Sequence, residues 1–396
     1  MGAVRRPAAV ETGLLALLLC GVPAGCQTTA LPPVTAPAFR FEEDEQRLWR
    51  RAEEEQARLE RSGLVHDDAA LEGYLNEVAR RLLPPAARDV LPVQVRVVRN
   101  PYLNAFAFPT GRVYVHSGIL ARMESEAELA ALLAHELTHA THRHAVRQFR
   151  GIKNATAVLA SIQVSLVPFG ALGDLAGLLG AIGAVAAVTG YSRELETEAD
   201  TEGFRLLLAA GYDPAAAPAL FQHLREELDE DRIREPFFFG THPRLAERIE
   251  NFHTLLAAAG GPRGGLRNEE AFLARTARLV LDNARLDLRA GRFSRAERGV
   301  RKYLRLAPAD PEGPYALGEV FRQRGGAGDA ERAQQAYRGV LALDPGHAGA
   351  HRGLGLVLLK QGDRAGARGF LERYLALAPQ APDRAYIEAY LGQAER

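Results

Sequence analysis

Cysteine is almost missing from this chain of 396 residues: the two present, Cys20 and Cys26, both fall near the N-terminus. That position excludes a disulfide framework or a thiolate metal site in the folded body. Net charge is missing as well, because 49 basic and 49 acidic side chains sum to zero. A nucleic-acid binder would show a basic excess or stripe, so the balance argues against that class. Lysine stands only at Lys153, Lys302 and Lys360, while Arg, Ala and Leu abound, which is a bias of composition rather than of chemistry. What is there is ordinary: 47% hydrophobic and 25% charged residues. Such a chain can bury a real core, which excludes global disorder. Its length suits about two or three domains at roughly 100–200 residues each.

The N-terminus reads as an export signal. Arg5 and Arg6 precede an apolar stretch from Gly13 to Val22, which is too short to span a bilayer. Pro23-Ala24-Gly25-Cys26 follows, and Ala-Gly-Cys resembles a bacterial lipobox, although Pro23 stands where that pattern usually has Leu. The expectation is that residues 1–25 are removed and that Cys26 is lipidated; plain secretion and a retained apolar anchor are the alternatives. Residues 26–40 then read as an extended tether holding the folded part off the membrane.

Residues 41–61 are dense in Glu and Arg, with Leu48, Trp49, Ala52 and Leu59 as sparse apolar points, so they predict a solvated helix with a narrow buried stripe. A second helix runs from Asp67 to Leu83 and stops at Pro84-Pro85. Val93–Val98 alternates as a strand. Asn104–Phe108 and Arg112–His116 flank Pro109-Thr110-Gly111 as a hairpin, and the Pro suits an edge strand, where an extended peptide can dock. Ser125 with Glu128 marks a capped start for a long helix to about Arg150. Residues 152–190 are strongly apolar but broken by Pro168 and several glycines, and read either as a buried helix with an apolar lid or as a membrane-inserted segment. Helices follow over Ser192–Ala210, 214–230 and 243–258, and the glycine-rich 259–270 reads as a linker.

Beyond it the sequence repeats. Pro308, Pro345 and Pro379 stand 37 and 34 residues apart. Twelve residues before each Pro stand Ala296, Ala333 and Ala367, small positions where two helices cross, and Leu317-Gly318 and Leu354-Gly355 fit the first helix of a unit. A period of 34 with small residues and Pro at fixed points is the signature of tetratricopeptide (TPR) repeats. Residues 271–396 are therefore expected to form a TPR array, closed by a capping helix at 382–394.

His135-Glu136-Leu137-Thr138-His139 places two imidazoles at i and i+4 on one helical face, within reach of a single ion. Glu136 stands beside them as a base for the attacking water. Two imidazoles and a carboxylate suit one Zn²⁺ with a fourth position open. The third ligand must be His, Asp or Glu. Ser192-Arg-Glu-Leu-Glu196-Thr-Glu-Ala-Asp200 offers a carboxylate cluster on the next long helix, and spacing alone does not choose between Glu196 and Glu198.

His-Glu-x-x-His followed by Glu-x-x-Ala-Asp resembles the gluzincin peptidases that include the heat-shock membrane protease HtpX and the CAAX prenyl proteases. The resemblance implies Glu196 as third zinc ligand, and Asp200, one turn on, fits a partner for a zinc-binding histidine. Glu194 and Glu198 are expected to be solvated or paired with arginines. Asn104, Ala105, Phe106, Ala107 and Phe108 resemble the family's edge strand, which pairs with substrate backbone. Thr241-His242-Pro243…Arg248 resembles a late His-Pro…Arg motif; this implies that His242 and Arg248 approach the open zinc position to stabilise the oxyanion, or that His242 occupies it and holds the enzyme latent. His142 and His144 are expected to be structural or solvated.

A lipobox-like signal, this peptidase and C-terminal TPRs together resemble the BepA-type branch of periplasmic proteases. The expected fold is mainly α with a small β-sheet: a metallopeptidase domain at 41–258, then an all-α TPR solenoid. The expected function is a zinc endopeptidase of the bacterial envelope, in the periplasm and lipid-anchored at the outer membrane, with polypeptide substrates and outer-membrane assembly proteins as partners. The competing readings are a TPR chaperone or scaffold with a latent peptidase site, and an intramembrane protease.

Overall fold

The computed structural model describes residues 30–155, 190–231, 245–262 and 264–393. The expected signal, Cys26, residues 156–189 of the apolar segment and Thr241-His242-Pro243 lie outside the described residues. No helix among the described residues is long and apolar enough to cross a membrane.

Helix α1 (Glu43–Glu60) buries Ala52 and Leu59 as expected, with Glu45, Glu55 and Gln56 beside them. In α2 (Ala69–Leu82) the Asp68 carboxylate caps the first turn by accepting from the backbone N–H groups of Ala70 and Leu71. Leu71, Leu75, Val78 and Leu82 line its inner face. A short α3 (Pro85–Arg88) leads into a three-stranded sheet of β1 (Gln94–Val98), β2 (Ala105–Ala107) and β3 (Arg112–His116). The order is β1-β3-β2; β3 pairs parallel with β1 and antiparallel with β2, so β2 is an edge strand closed by the Pro109–Gly111 turn.

After α4 (Ser117–Arg122) comes α5 (Glu126–Thr141), capped by Ser125, whose hydroxyl accepts from the Glu128 N–H at 3.2 Å. Every residue of α5 is buried. It is the central post of the domain, wrapped by α2, the sheet and α7 (Arg193–Ala209) and α8 (Ala216–Asp231). The expected single helix to Arg150 is broken. Arg143 adopts φ of 59°, and α6 (His144–Ala155) sets off anew. A left-handed turn without glycine costs energy, and tertiary contacts hold it: the buried Arg143 guanidinium pairs with Glu45 and donates to the carbonyls of Pro32 and Arg40 at 3.2 Å each.

Helix α9 (Leu245–Ala258) closes the domain through Phe252, stacked on Phe221 of α8 at 5.2 Å. The glycine-rich stretch after it is pinned rather than free. The Asp213 N–H donates to the Leu266 carbonyl (3.1 Å), Leu266 donates to Gly211 (2.9 Å), and the Asn268 amide reaches Glu126 (2.9 Å). A side chain at Gly265 would run into the Tyr212–Asp213 backbone, so glycine there permits a close approach rather than slack.

Seven helices follow: α10 (Glu269–Arg289), α11 (Phe293–Leu306), α12 (Glu312–Arg324), α13 (Asp329–Leu343), α14 (Ala348–Lys360), α15 (Arg364–Leu377) and α16 (Arg384–Gln393). Ala296, Ala333 and Ala367 are fully buried where paired helices cross. The main core passes through the expected linker without interruption: Phe272, Leu279, Val280 and Val300 belong to the same cluster as Leu75, Leu132 and Leu220, whereas a separate cluster begins at Phe321. The first helix pair of the array is thus built onto the helix-and-sheet body that precedes it.

Candidate metal centre

His135 and His139 lie one turn apart on α5, with their Nε2 atoms 3.0 Å from each other. Glu196 comes from α7, placing one carboxylate oxygen 3.5 Å from His135 Nε2 and the other 3.7 Å from His139 Nε2. Donor atoms about 2.0–2.1 Å from a tetrahedral ion stand about 3.3 Å apart, so this triangle fits one zinc-sized ion. Among the described residues these three side chains are the group that can hold a metal, and all three are buried. The close approach of α7 to α5 makes this possible: at Gly203 an added Cβ would come within 3.0 Å of the His135 backbone nitrogen. Glu198, the alternative by spacing, turns away and pairs with Arg147 at 2.7 Å. Glu136, next to His135, is 1% exposed.

Both imidazoles are backed on their Nδ1 side. Asp200 holds His135 Nδ1 at 2.9 Å, and Arg248 donates twice to Asp200, at 2.6 and 3.1 Å. Burial works against the charged Asp200, but Arg248 and His135 outweigh it and keep its carboxyl below the usual range. Burial and Arg248 likewise oppose charge on His135, yet Asp200 and Glu196 lift it to about 9. Arg248 was expected at the open metal position. The structure puts it behind His135 instead, with its guanidinium 4.2 Å over the Phe221 ring. Its contacts make it a positioning residue, because the Asp200 carboxylate lies between α5 and α9 and needs a buried cation.

His139 Nδ1 lies 2.9 Å from Nδ1 of His144, and His144 Nε2 faces Glu198 at 3.6 Å. His144 is wholly buried, and that burial lowers it to about 4 against the pull of Glu198. It is structural, as expected, but in direct support of a metal-site imidazole; His142 stays half-buried beside Thr141. Tyr191 stacks on His139 with ring centroids 4.2 Å apart. The motif gave no hint of either contact. His144 lies across the helix break, and Tyr191 precedes the cap of α7.

Asn104, Ala105, Phe106, Ala107 and Phe108 are all buried. Phe106 and Phe108 pack with Tyr114, so their side chains are used in the core beside the sheet.

A buried His-Glu-x-x-His helix with a glutamate from the following long helix, joined to TPR hairpins, is an arrangement that comparison with known proteins places beside the metallopeptidases. Residues 69–255 match the model of peptidase family M48, and residues 324–382 match a tetratricopeptide repeat model. It is similar to the putative beta-barrel assembly-enhancing protease of Vibrio cholerae, 32% identical over 189 residues, covering 47% of this chain and 39% of that one. It is equally similar to the mitochondrial metalloendopeptidase OMA1 of Schizosaccharomyces pombe, 32% identical over 187 residues, covering 47% and 53%. The beta-barrel assembly-enhancing protease of Escherichia coli is 29% identical over 198 residues, covering 48% and 40%. The chain thus spans about two fifths to one half of the length of these relatives.

Proposed function

We propose that this chain is a zinc metalloendopeptidase of the bacterial cell envelope that hydrolyses peptide bonds of misfolded or stalled envelope proteins. The observation that carries the catalytic part is the buried triangle of His135, His139 and Glu196 with Glu136 beside it. The envelope part rests on the export-like N-terminus and on relatives named for β-barrel assembly. On this reading Cys26 carries the lipid anchor in the periplasm, at the outer membrane, and the TPR helices recruit clients or assembly partners.

Zinc held by the three ligands would supply a Lewis acid that acidifies water and polarises the scissile carbonyl. Glu136 takes the proton of the attacking water and passes it to the amine leaving group. Asp200 and Arg248 fix the His135 ring, and His144 fixes His139, so that both Nε2 lone pairs keep pointing at one spot. Substrate lies extended along the backbone of Asn104–Phe108, which supplies ladder hydrogen bonds without reading side chains. That suits an enzyme that recognises unfolded chain rather than one sequence. His242 is placed by resemblance at the open position, as oxyanion partner or latch.

The test is cleavage of an unfolded protein such as casein by wild type and Glu136→Gln, with and without chelator. The wild type should cleave, and chelator should stop it. Glu136→Gln should fall about 10²–10⁴-fold while still binding one metal ion. Equal cleavage by the variant would overturn this mechanism.

A further inference from the structure

Tyr191 carries a hydroxyl that packing does not use. Its ring lies on His139, with centroids 4.2 Å apart and planes 17° from parallel, and it meets the edge of His144 at 6.0 Å. Ala145 of α6 and Leu195 of α7 complete a small buried cluster with it. Gly190, at φ of 71°, turns the chain just before it, and Ser192 just after it is the N-cap position of α7. The ring is thus fixed to the helix that also brings Glu196.

A phenylalanine would stack on His139 equally well, so packing accounts for the ring and leaves the hydroxyl over. That oxygen is buried, on a residue 7% exposed, and has no hydrogen-bond partner among the described residues. A buried hydroxyl without a partner costs free energy, whereas an apolar group of the same shape does not. Burial apart, the charges that act on this hydroxyl are the carboxylates of Glu136 and Glu196, so the phenol end of the ring is turned to the metal centre. A phenol ionises ordinarily at about pH 10 and is therefore a neutral donor at physiological pH. It lacks an acceptor, and peptide hydrolysis creates one at this place: the carbonyl oxygen that takes up negative charge when water adds to the scissile carbon.

We infer that the Tyr191 hydroxyl donates a hydrogen bond to that oxygen in the transition state and is a further catalytic group of the reaction proposed above, on which this inference rests. As the water oxygen bonds to carbon, the carbonyl π pair moves onto its oxygen, and the phenol holds that oxygen without giving up its proton. When the C–N bond breaks, the pair returns to the carbonyl and the amine takes its proton from Glu136. The hydroxyl is unsatisfied in the free enzyme and satisfied in the transition state, which is the condition for a contact that raises kcat rather than lowering KM.

The test compares wild type with Tyr191→Phe in three measurements: steady-state cleavage of labelled casein, zinc affinity in a chelator competition, and thermal melting of the metal-free chain. In the variant kcat should fall about 10²–10³-fold, with KM within about threefold of wild type. Zinc affinity should be unchanged, and the melting temperature should equal or exceed that of wild type, because the stack is kept and an unsatisfied buried group is removed. If wild type cleaves casein and the variant matches its kcat, the inference alone is overturned. Weaker zinc binding or a lower melting temperature in the variant would also overturn it, since the hydroxyl would then be a structural group. If wild type itself leaves casein intact, the peptidase reading fails and takes this inference with it.

Discussion

With Nε2 turned to the metal centre, His139 must keep its ring proton on Nδ1, and the atom facing it at 2.9 Å is Nδ1 of His144. That proton therefore has one place to go: His144 accepts it at Nδ1 and carries its own proton on Nε2, facing Glu198. Burial keeps His144 neutral through the physiological range, as this tautomer requires. Partners of this kind are worth about 10–100-fold in metal affinity. His144→Leu should weaken zinc binding by that amount in a chelator competition, and excess zinc should restore cleavage. Unchanged affinity would show that His144 merely fills space. His135 is served by a different device, the Asp200–Arg248 pair, so the two imidazoles are oriented independently.

At the scale of elements, helices come close where side chains are small. Tyr337 of α13 is wedged between Gly318 of α12 and Gly353 of α14, and its hydroxyl donates to Glu319 at 2.6 Å. Gly353→Ala drives a methyl group into that ring and should cost about 1–3 kcal/mol. Because the outer repeats have their own core from Phe321 onward, metal affinity should stay at the wild-type value. A thermal melt and a zinc titration on one sample check both halves; loss of zinc binding would contradict the separation of the cores. These repeats were legible in the sequence because period, Pro and Ala all agreed. The two imidazoles were legible because i and i+4 share a helical face. The end of α5 was not, since the left-handed Arg143 is stabilised by Glu45, almost a hundred positions away, and neither Gly nor Pro marks it. The glycines near 260–265 suggested slack by composition, while their use is a close approach to Tyr212 and Asp213. Spacing left Glu196 and Glu198 equivalent; the resemblance pointed to Glu196, and the packing of α7 on α5 gives the physical reason. Arg248 lay too far along the chain for any local pattern to pair it with Asp200.

For the whole molecule, the boundary between peptidase and repeats falls later than composition suggests. Phe272, Leu279, Val280 and Leu281 of α10 complete the peptidase core. Burying an apolar side chain of this size is worth about 1.5–3 kcal/mol each, so losing all four removes about as much as the whole net stability of a typical domain, about 5–15 kcal/mol. A chain ending at Pro262 should be insoluble or lack a cooperative melt, while one ending at Arg324 should melt cooperatively and bind zinc. Equal behaviour of the two would place the boundary back at the glycines.

On this reading His135, His139 and Glu196 together hold one metal ion. Calorimetric titration of the purified chain with zinc, beside Glu196→Ala and Glu198→Ala, tests it most directly. Wild type should take up one tight equivalent, Glu196→Ala should lose tight binding, and Glu198→Ala should keep the stoichiometry with at most weakened affinity. Full binding by Glu196→Ala, or loss only in Glu198→Ala, would contradict it.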